Sequence, residues 1–382
     1  MEREFLYIFL GSLGSNKRGD NMIKKMFLLL VLTLIIFSGC SNSKEEIKIG
    51  SILILSGSGA AWGTASMNGI DMALEKINNN GGINGKTLVV DHQDDQSDAK
   101  HALSAFQQLT EVKDIDIVIG TTWSHTGLPL KNLAHEKEVL MVSPSLGKAE
   151  FNEESDYLFN TWPHDYILSA ELADRVYSKG HRRIALIGAE EVWVKEQTNA
   201  FKARFEELGG TIEVLVEPVT TNKNVNSEAL KIKNANIDAI VSTTDGIMIG
   251  TLVVKKVREL GVALPVYCIT MDQDVIDAAE GAYEEMEFLT SLTPTEEFKT
   301  AYETKYNIPI DIGASSAYDA VMMIAEAMEA TNSEDTTVLS EYLNNIKVYD
   351  GVSGHLVSDG TGAFTKTFAV KKIVNGKITD LS

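Results

Sequence analysis

Cysteine is nearly absent. Of the two in 382 residues, Cys40 closes an apolar leader and Cys268 stands alone in the body. No disulfide can form within that body, and no cysteine-rich metal site can be built there. Cys268, inside Pro265-Val266-Tyr267-Cys268-Ile269, is expected to be a core thiol. The seven histidines are scattered, and a single histidine without neighbouring ligands makes no metal centre. Positive charge is also scarce: beyond residue 40 there are 29 Lys and Arg against 51 Asp and Glu, a formal net charge of −22. Such a surface repels phosphate backbones, and with no basic cluster present, nucleic acid is not an expected partner. Catalytic signatures are missing too. Ser56-Gly57-Ser58-Gly59 lacks the lysine of a phosphate-cradling loop, and no serine sits in a nucleophile elbow. The expectation is a protein that is not an enzyme and needs no cofactor or metal.

What is present starts with one long hydrophobic run. Lys24 and Lys25 precede the apolar stretch 26–37, which closes on Ser38-Gly39-Cys40. A charged start, a short apolar stretch and small residues at the end describe an export signal, too short for a comfortable membrane span. The Ser38-Gly39-Cys40 ending resembles a lipobox, whose cysteine becomes the lipidated first residue of the mature chain; Phe37 departs from the usual aliphatic residue there. Residues 1–39 are therefore expected to be a signal peptide, with the true start at Met22 or Met26, and 40–46 a lipidated linker. The rest would sit outside the cytoplasm, anchored to the cell membrane.

Hydrophobic residues at 44% and charged residues at 23% leave room for a large core split over two domains. Short β-branched runs alternate with longer stretches of helical period, the pattern of parallel α/β structure covered on both faces. Strands are expected at 47–53, 88–90, 115–119 and 139–142, and in a second series at 183–188, 212–216, 239–241 and 266–269. Helices are expected at about 65–79, 99–112 and 194–208. The fold class is α/β, with two doubly wound parallel-sheet lobes.

Several words in fixed order then resemble a known family. They are Asn68-Gly69-Ile70-Asp71-Met72-Ala73-Leu74-Glu75, Gly81-Gly82-Ile83-Asn84-Gly85, Asp94-Asp95, Val142-Ser143-Pro144-Ser145, Phe159-Asn160-Thr161-Trp162-Pro163-His164-Asp165 and Ala317-Tyr318-Asp319-Ala320-Val321. Together they resemble type I periplasmic binding proteins of the branched-chain amino-acid class, over nearly the whole mature chain. The resemblance implies two lobes joined by three crossovers, near Pro163, Ser291 and Tyr349, closing on a solute. Residues 46–162 and 292–347 would form the first lobe, and 163–291 with 348–382 the second.

Ligands of open α/β sheets bind beyond the carboxyl ends of strands. Trp62, after the first strand, is a candidate wall for the solute's side chain. The loop 120–126 holds Trp123, Ser124 and His125, with hydroxyls and amides suited to a carboxylate. The resemblance implies that Ser124 holds that carboxylate. In Ser143-Pro144-Ser145-Leu146-Gly147 it implies backbone contacts at Ser145 and a hydroxyl at 147, where this chain has Gly147; Ser143, a water or a solute with a different head group are the candidate replacements. From the second lobe it implies an aromatic at Trp193 and an acidic partner for an ammonium at Asp272. Asp245 is a further loop candidate. The partners implied are a small amino-acid-like solute and an ABC permease, for a chain acting as a monomer. An alternative is a sensor that signals to a separate membrane receptor.

Overall fold

The computed structural model describes residues 45–57, 59–244 and 247–381. The leader, Cys40 and Asp245 lie outside the described residues. Among the described residues no helix is long and apolar enough to cross a membrane.

The first lobe is built on β1 (Glu46–Leu53), β2 (Thr87–Asp94), β3 (Ile117–Gly120), β4 (Leu140–Ser143) and β5 (Leu158–Asn160), all parallel in the order β2-β1-β3-β4-β5. Every residue of β3 and β4 is buried, as expected when helices cover both faces of a parallel sheet. Between these strands run α1 (Ala60–Asn79), α2 (Ala99–Gln107), α3 (Ser124–Gly127) and α4 (Lys131–Glu136). The first helix begins five residues earlier than its periodicity suggests. The stretch expected to be helical to 112 keeps its regular form only to Gln107 and closes in a wider turn over 108–112.

The second lobe carries α5 (Asp165–Ser178), β6 (Arg183–Ile187), α6 (Val192–Glu207), β7 (Thr211–Val216), α7 (Asn226–Asn234), β8 (Ala239–Ser242), α8 (Met248–Glu259), β9 (Val266–Ile269), α9 (Gln273–Ala278) and β10 (Glu287–Thr290). The chain returns to the first lobe for α10 (Glu296–Tyr306), α11 (Ala314–Thr331) and α12 (Thr336–Asn345). A small antiparallel sheet follows, made of β11 (Val348–Gly351), β12 (Gly354–Ser358) and β13 (Phe364–Thr365). Then β14 (Ala369–Val374) and β15 (Lys377–Asp380) extend the second sheet, giving β15-β14-β10-β9-β8-β6-β7. These last two strands run antiparallel to their neighbours, so the second sheet is mixed where a parallel one was expected.

The third crossover also falls later than Tyr349. Leu356 and Phe364 belong to the core that α1 and α11 cover, and the chain joins the second sheet only at Ala369. One carboxylate fastens this returning segment. Asp319, on α11, accepts from the Val352 amide at 2.9 Å, from the Ser353 amide at 2.8 Å and from the Ser353 hydroxyl. The Ser353 carbonyl in turn accepts from Lys366 Nζ at 2.8 Å. Burial pulls the Lys366 ammonium down to about 8, so it remains mostly charged at neutral pH. Cys268 is buried in the second core, as its sequence setting implied.

Candidate functional site

The loops that leave β1, β3 and β4 are tied to one another by hydroxyls. Thr122 Oγ1 accepts from the Ile54 amide at 3.0 Å, and the Ser145 hydroxyl donates to the Thr122 carbonyl at 2.8 Å. The Trp123 carbonyl accepts from the hydroxyls of Thr121 and Thr126 at 2.9 and 3.0 Å. The backbone that carries Trp123 is thereby held from both sides. Gly59 has a φ of +91°, and a β-carbon there would come within 2.7 Å of the Trp123 ring. Glycine thus serves twice, allowing the left-handed turn into α1 and making space for the indole. One turn on, Trp62 meets Trp123 edge to face, with centroids 5.8 Å apart and planes at 88°.

The other side of the cleft is supplied by α6, whose first amide is accepted by the Glu191 carboxylate at 3.3 Å. Trp193, in that first turn, packs on the second lobe's core and also faces the cleft. Trp162 comes from the segment that crosses between the lobes. All four tryptophans of the chain therefore line one cavity. The space they line, counted with its opening to solvent, is about 330 Å³.

The remaining wall is Ser124, Ser145, Gly147 and Asp165. A β-carbon on Gly147 would lie 1.8 Å from Asp165 Oδ1 and 2.5 Å from Oδ2, so the carboxylate rests directly on this glycine. The Asp165 amide donates to the Gly147 carbonyl at 2.7 Å, which fixes the two against each other. Asp165 is buried and is the first residue of α5, where the positive end of the helix favours a carboxylate.

Six expected site residues thus meet at the cavity: Trp62, Trp123, Ser124, Ser145, Gly147 and Trp193. Ser143 does not reach it. Its side chain is wholly buried, donating to the Thr121 carbonyl at 2.8 Å and accepting from the Leu146 amide at 3.0 Å, so it locks the loop and cannot replace the hydroxyl missing at 147. His125 turns the other way, placing Nε2 3.2 Å from the Ser97 carbonyl oxygen. Asp272 caps α9, accepting from the Val275 amide at 2.8 Å, and stands outside the cavity wall. Trp162 and Asp165 were missed, although both lie in the 159–165 stretch that carried the family resemblance. The available signal was an acid at the start of a helix, three residues after a tryptophan in a crossover.

Charges frame the cleft. Lys148, next to Gly147, pairs with Glu196 of α6 at 3.3 Å, an ion pair from one lobe to the other. Asp311 of the first lobe lies near Asp272 and Asp274 of the second. Burial, then these like charges, push its carboxyl up to about 6. The folded chain therefore keeps a proton that the unfolded chain, with an ordinary value near 3.9, gives up. That contribution is complete below the unfolded value and is lost as pH rises through about 6. The unfolding free energy is expected to gain about 1 kcal/mol from this group between pH 7 and pH 5. Asp311→Asn should flatten that part of a pH series of denaturant melts; an unchanged slope would remove Asp311 as its source.

A family model described as periplasmic binding protein matches residues 46–377. A Leu/Ile/Val-binding protein homolog of Brucella melitensis is 27% identical over 352 residues, covering 89% of this chain and 95% of the relative. A leucine binding protein of Thermotoga maritima superposes with a TM-score of 0.81 at 23% identity, covering 88% of this chain and 98% of its own. A branched-chain amino acid transporter substrate binding protein of Streptococcus pneumoniae, solved with isoleucine, superposes with a TM-score of 0.80 at 25% identity, covering 87% and 98%.

Proposed function

Because the chain belongs to the periplasmic binding protein family, we propose that it captures a small solute between its lobes and delivers it to the permease of an ABC transporter. It does so outside the cytoplasm, as a monomer held to the membrane by lipid on Cys40, and releases the solute chemically unchanged. The observation that carries this reading is the convergence of all four tryptophans, from the first lobe, the crossover and the second lobe, on one cavity. An aromatic lining shared by two lobes buries apolar surface only when the lobes close, which couples binding to hinge motion. The relatives named above, binding proteins for branched-chain amino acids, support the same reading.

In this mechanism the solute first docks on the first lobe, against Trp62, Trp123 and Ser124. The second lobe then closes and brings Trp193 and the Glu196–Lys148 ion pair into place. Closure presents a new outer shape to the membrane partner. A receptor that read the same shape would make the chain a sensor, and loss of solute uptake on deleting the gene separates transport from that alternative.

Since every tryptophan lines the cleft, intrinsic fluorescence of the full chain reports the site directly. A true solute is expected to shift the emission and to reduce the radius of gyration in solution scattering. Ser124→Ala should weaken that solute by roughly tenfold to 150-fold, the effect of losing one hydrogen bond to a charged group. If no amino acid, amide, carboxylate or ammonium compound changes either signal, or if a bound compound is recovered transformed, the capture reading fails.

A further inference from the structure

Given that capture proceeds by closure of the lobes, the charges around the cleft give a role to two side chains that stand outside the cavity wall. We infer that Lys148 and Glu196 are positioning residues, a latch from lobe to lobe that sets how long a solute stays without touching it.

Each latch residue is a short step from the cavity. Lys148 follows Gly147 in the loop after β4, and Glu196 lies one turn beyond Trp193 on α6, so both extend from residues of the wall. Residues three apart on a helix share a face, and α6 therefore turns Trp193 and Glu196 toward the first lobe together. Lys148 Nζ donates to Glu196 Oε2 at 3.3 Å. The lobes cannot part without breaking this bond, and they would part at the edge of the cavity.

The contact is dry enough to matter. Its two side chains are only 17% and 21% exposed, so water and salt screen it less than an ordinary surface pair. Burial pushes the Glu196 carboxyl above its ordinary value, and Lys148 draws it back. Without that ammonium, closing the cleft would strip a carboxylate of water and give it nothing in return. Lys148 also has an acceptor in its own lobe, Glu150, at 3.7 Å. Glu150 keeps the ammonium paired while the lobes are apart, and Glu196 joins it on closure.

Elsewhere closure works against charge. Asp272 and Asp274 of the second lobe push on Asp311 of the first, three carboxylates of like sign brought together. The attraction between Lys148 and Glu196 offsets that repulsion, so the balance of the closed state depends on a pair that makes no contact with the solute.

Two measurements on the full chain test the latch. A water-soluble carbodiimide joins a carboxyl to an amine where the two already meet. Peptide mass spectrometry should therefore find an amide between Lys148 and Glu196, in the free chain or in one saturated with the common amino acids and benzoate. Its absence from both would overturn the inference. Stopped-flow tryptophan emission, with isoleucine as the probe, gives the rates. Lys148→Met and Glu196→Gln should each speed dissociation by about fivefold or more, since fivefold is the upper end for a fully exposed pair. Association and the melting temperature should change little, because the contact forms after encounter and within neither lobe alone. Combined, the two substitutions should cost no more than either one, as they remove a single contact. Unchanged dissociation, or effects that multiply, would overturn the latch and leave capture intact. If isoleucine leaves the emission unchanged, the cross-link decides. A cross-link that forms while no compound of the mixture alters the emission would support the contact and count against the capture reading itself.

Discussion

Asp319→Ala is expected to lower the unfolding free energy by about 3 to 5 kcal/mol, the scale for removing one partner from a buried charged network. The carboxylate accepts three hydrogen bonds from Val352 and Ser353, all in the segment that leads back toward the second lobe. Alanine would leave two amides and a hydroxyl without acceptors in a dry environment. It would also leave the Lys366 ammonium, itself buried, without its compensating charge. Asp319→Asn should cost less, because the amide oxygen still accepts although the charge is gone. Urea denaturation of the full chain measures both. A loss under 1 kcal/mol for Asp319→Ala would mean that water reaches the site and replaces the carboxylate.

The position of Asp319 shows what was legible in the sequence. Ala317-Tyr318-Asp319-Ala320-Val321 stood out as a word, and its helical setting was plain, but its partners lie more than thirty residues away in a segment with no strong periodicity. For the same reason the third crossover was placed too early. Strands β11 to β13 are short and partly exposed, so the alternation of buried and exposed residues is weak there. The main strands were legible because a strand covered on both faces leaves a run of β-branched residues. The site was legible to the extent that it sits on loops following those strands. Trp62, Ser124, Ser145 and Trp193 follow from that rule with the resemblance. His125 and Ser143 sit on the same loops yet point away, since adjacent residues on a turn face different directions and nothing local distinguishes them. Asp272 shows the opposite difficulty. An acid after a strand suits both ligand binding and helix capping, and here it caps α9. What sequence order could not give was the approach of Gly147 to Asp165, which needs a loop and a helix start brought within van der Waals distance.

That approach carries the second large prediction. The β-carbon of Gly147→Ala would fall 1.8 Å from Asp165 Oδ1, so the carboxylate must leave its place or the loop must shift. Overpacking of this kind costs about 1 to 3 kcal/mol. The change at 147 is expected to be far cheaper when Asp165 has been shortened to alanine, because the obstructing atoms are then absent. A double-mutant cycle of Gly147→Ala with Asp165→Ala should therefore show a coupling of at least about 1 kcal/mol in urea denaturation. In binding, Gly147→Ala alone should reduce affinity for the chain's own solute by a hundredfold or so, since about 2.7 kcal/mol corresponds to that factor and both the carboxylate and the cavity wall move. Single effects that add without coupling would show that Asp165 turns aside at no cost. In that case Gly147 is a turn residue only.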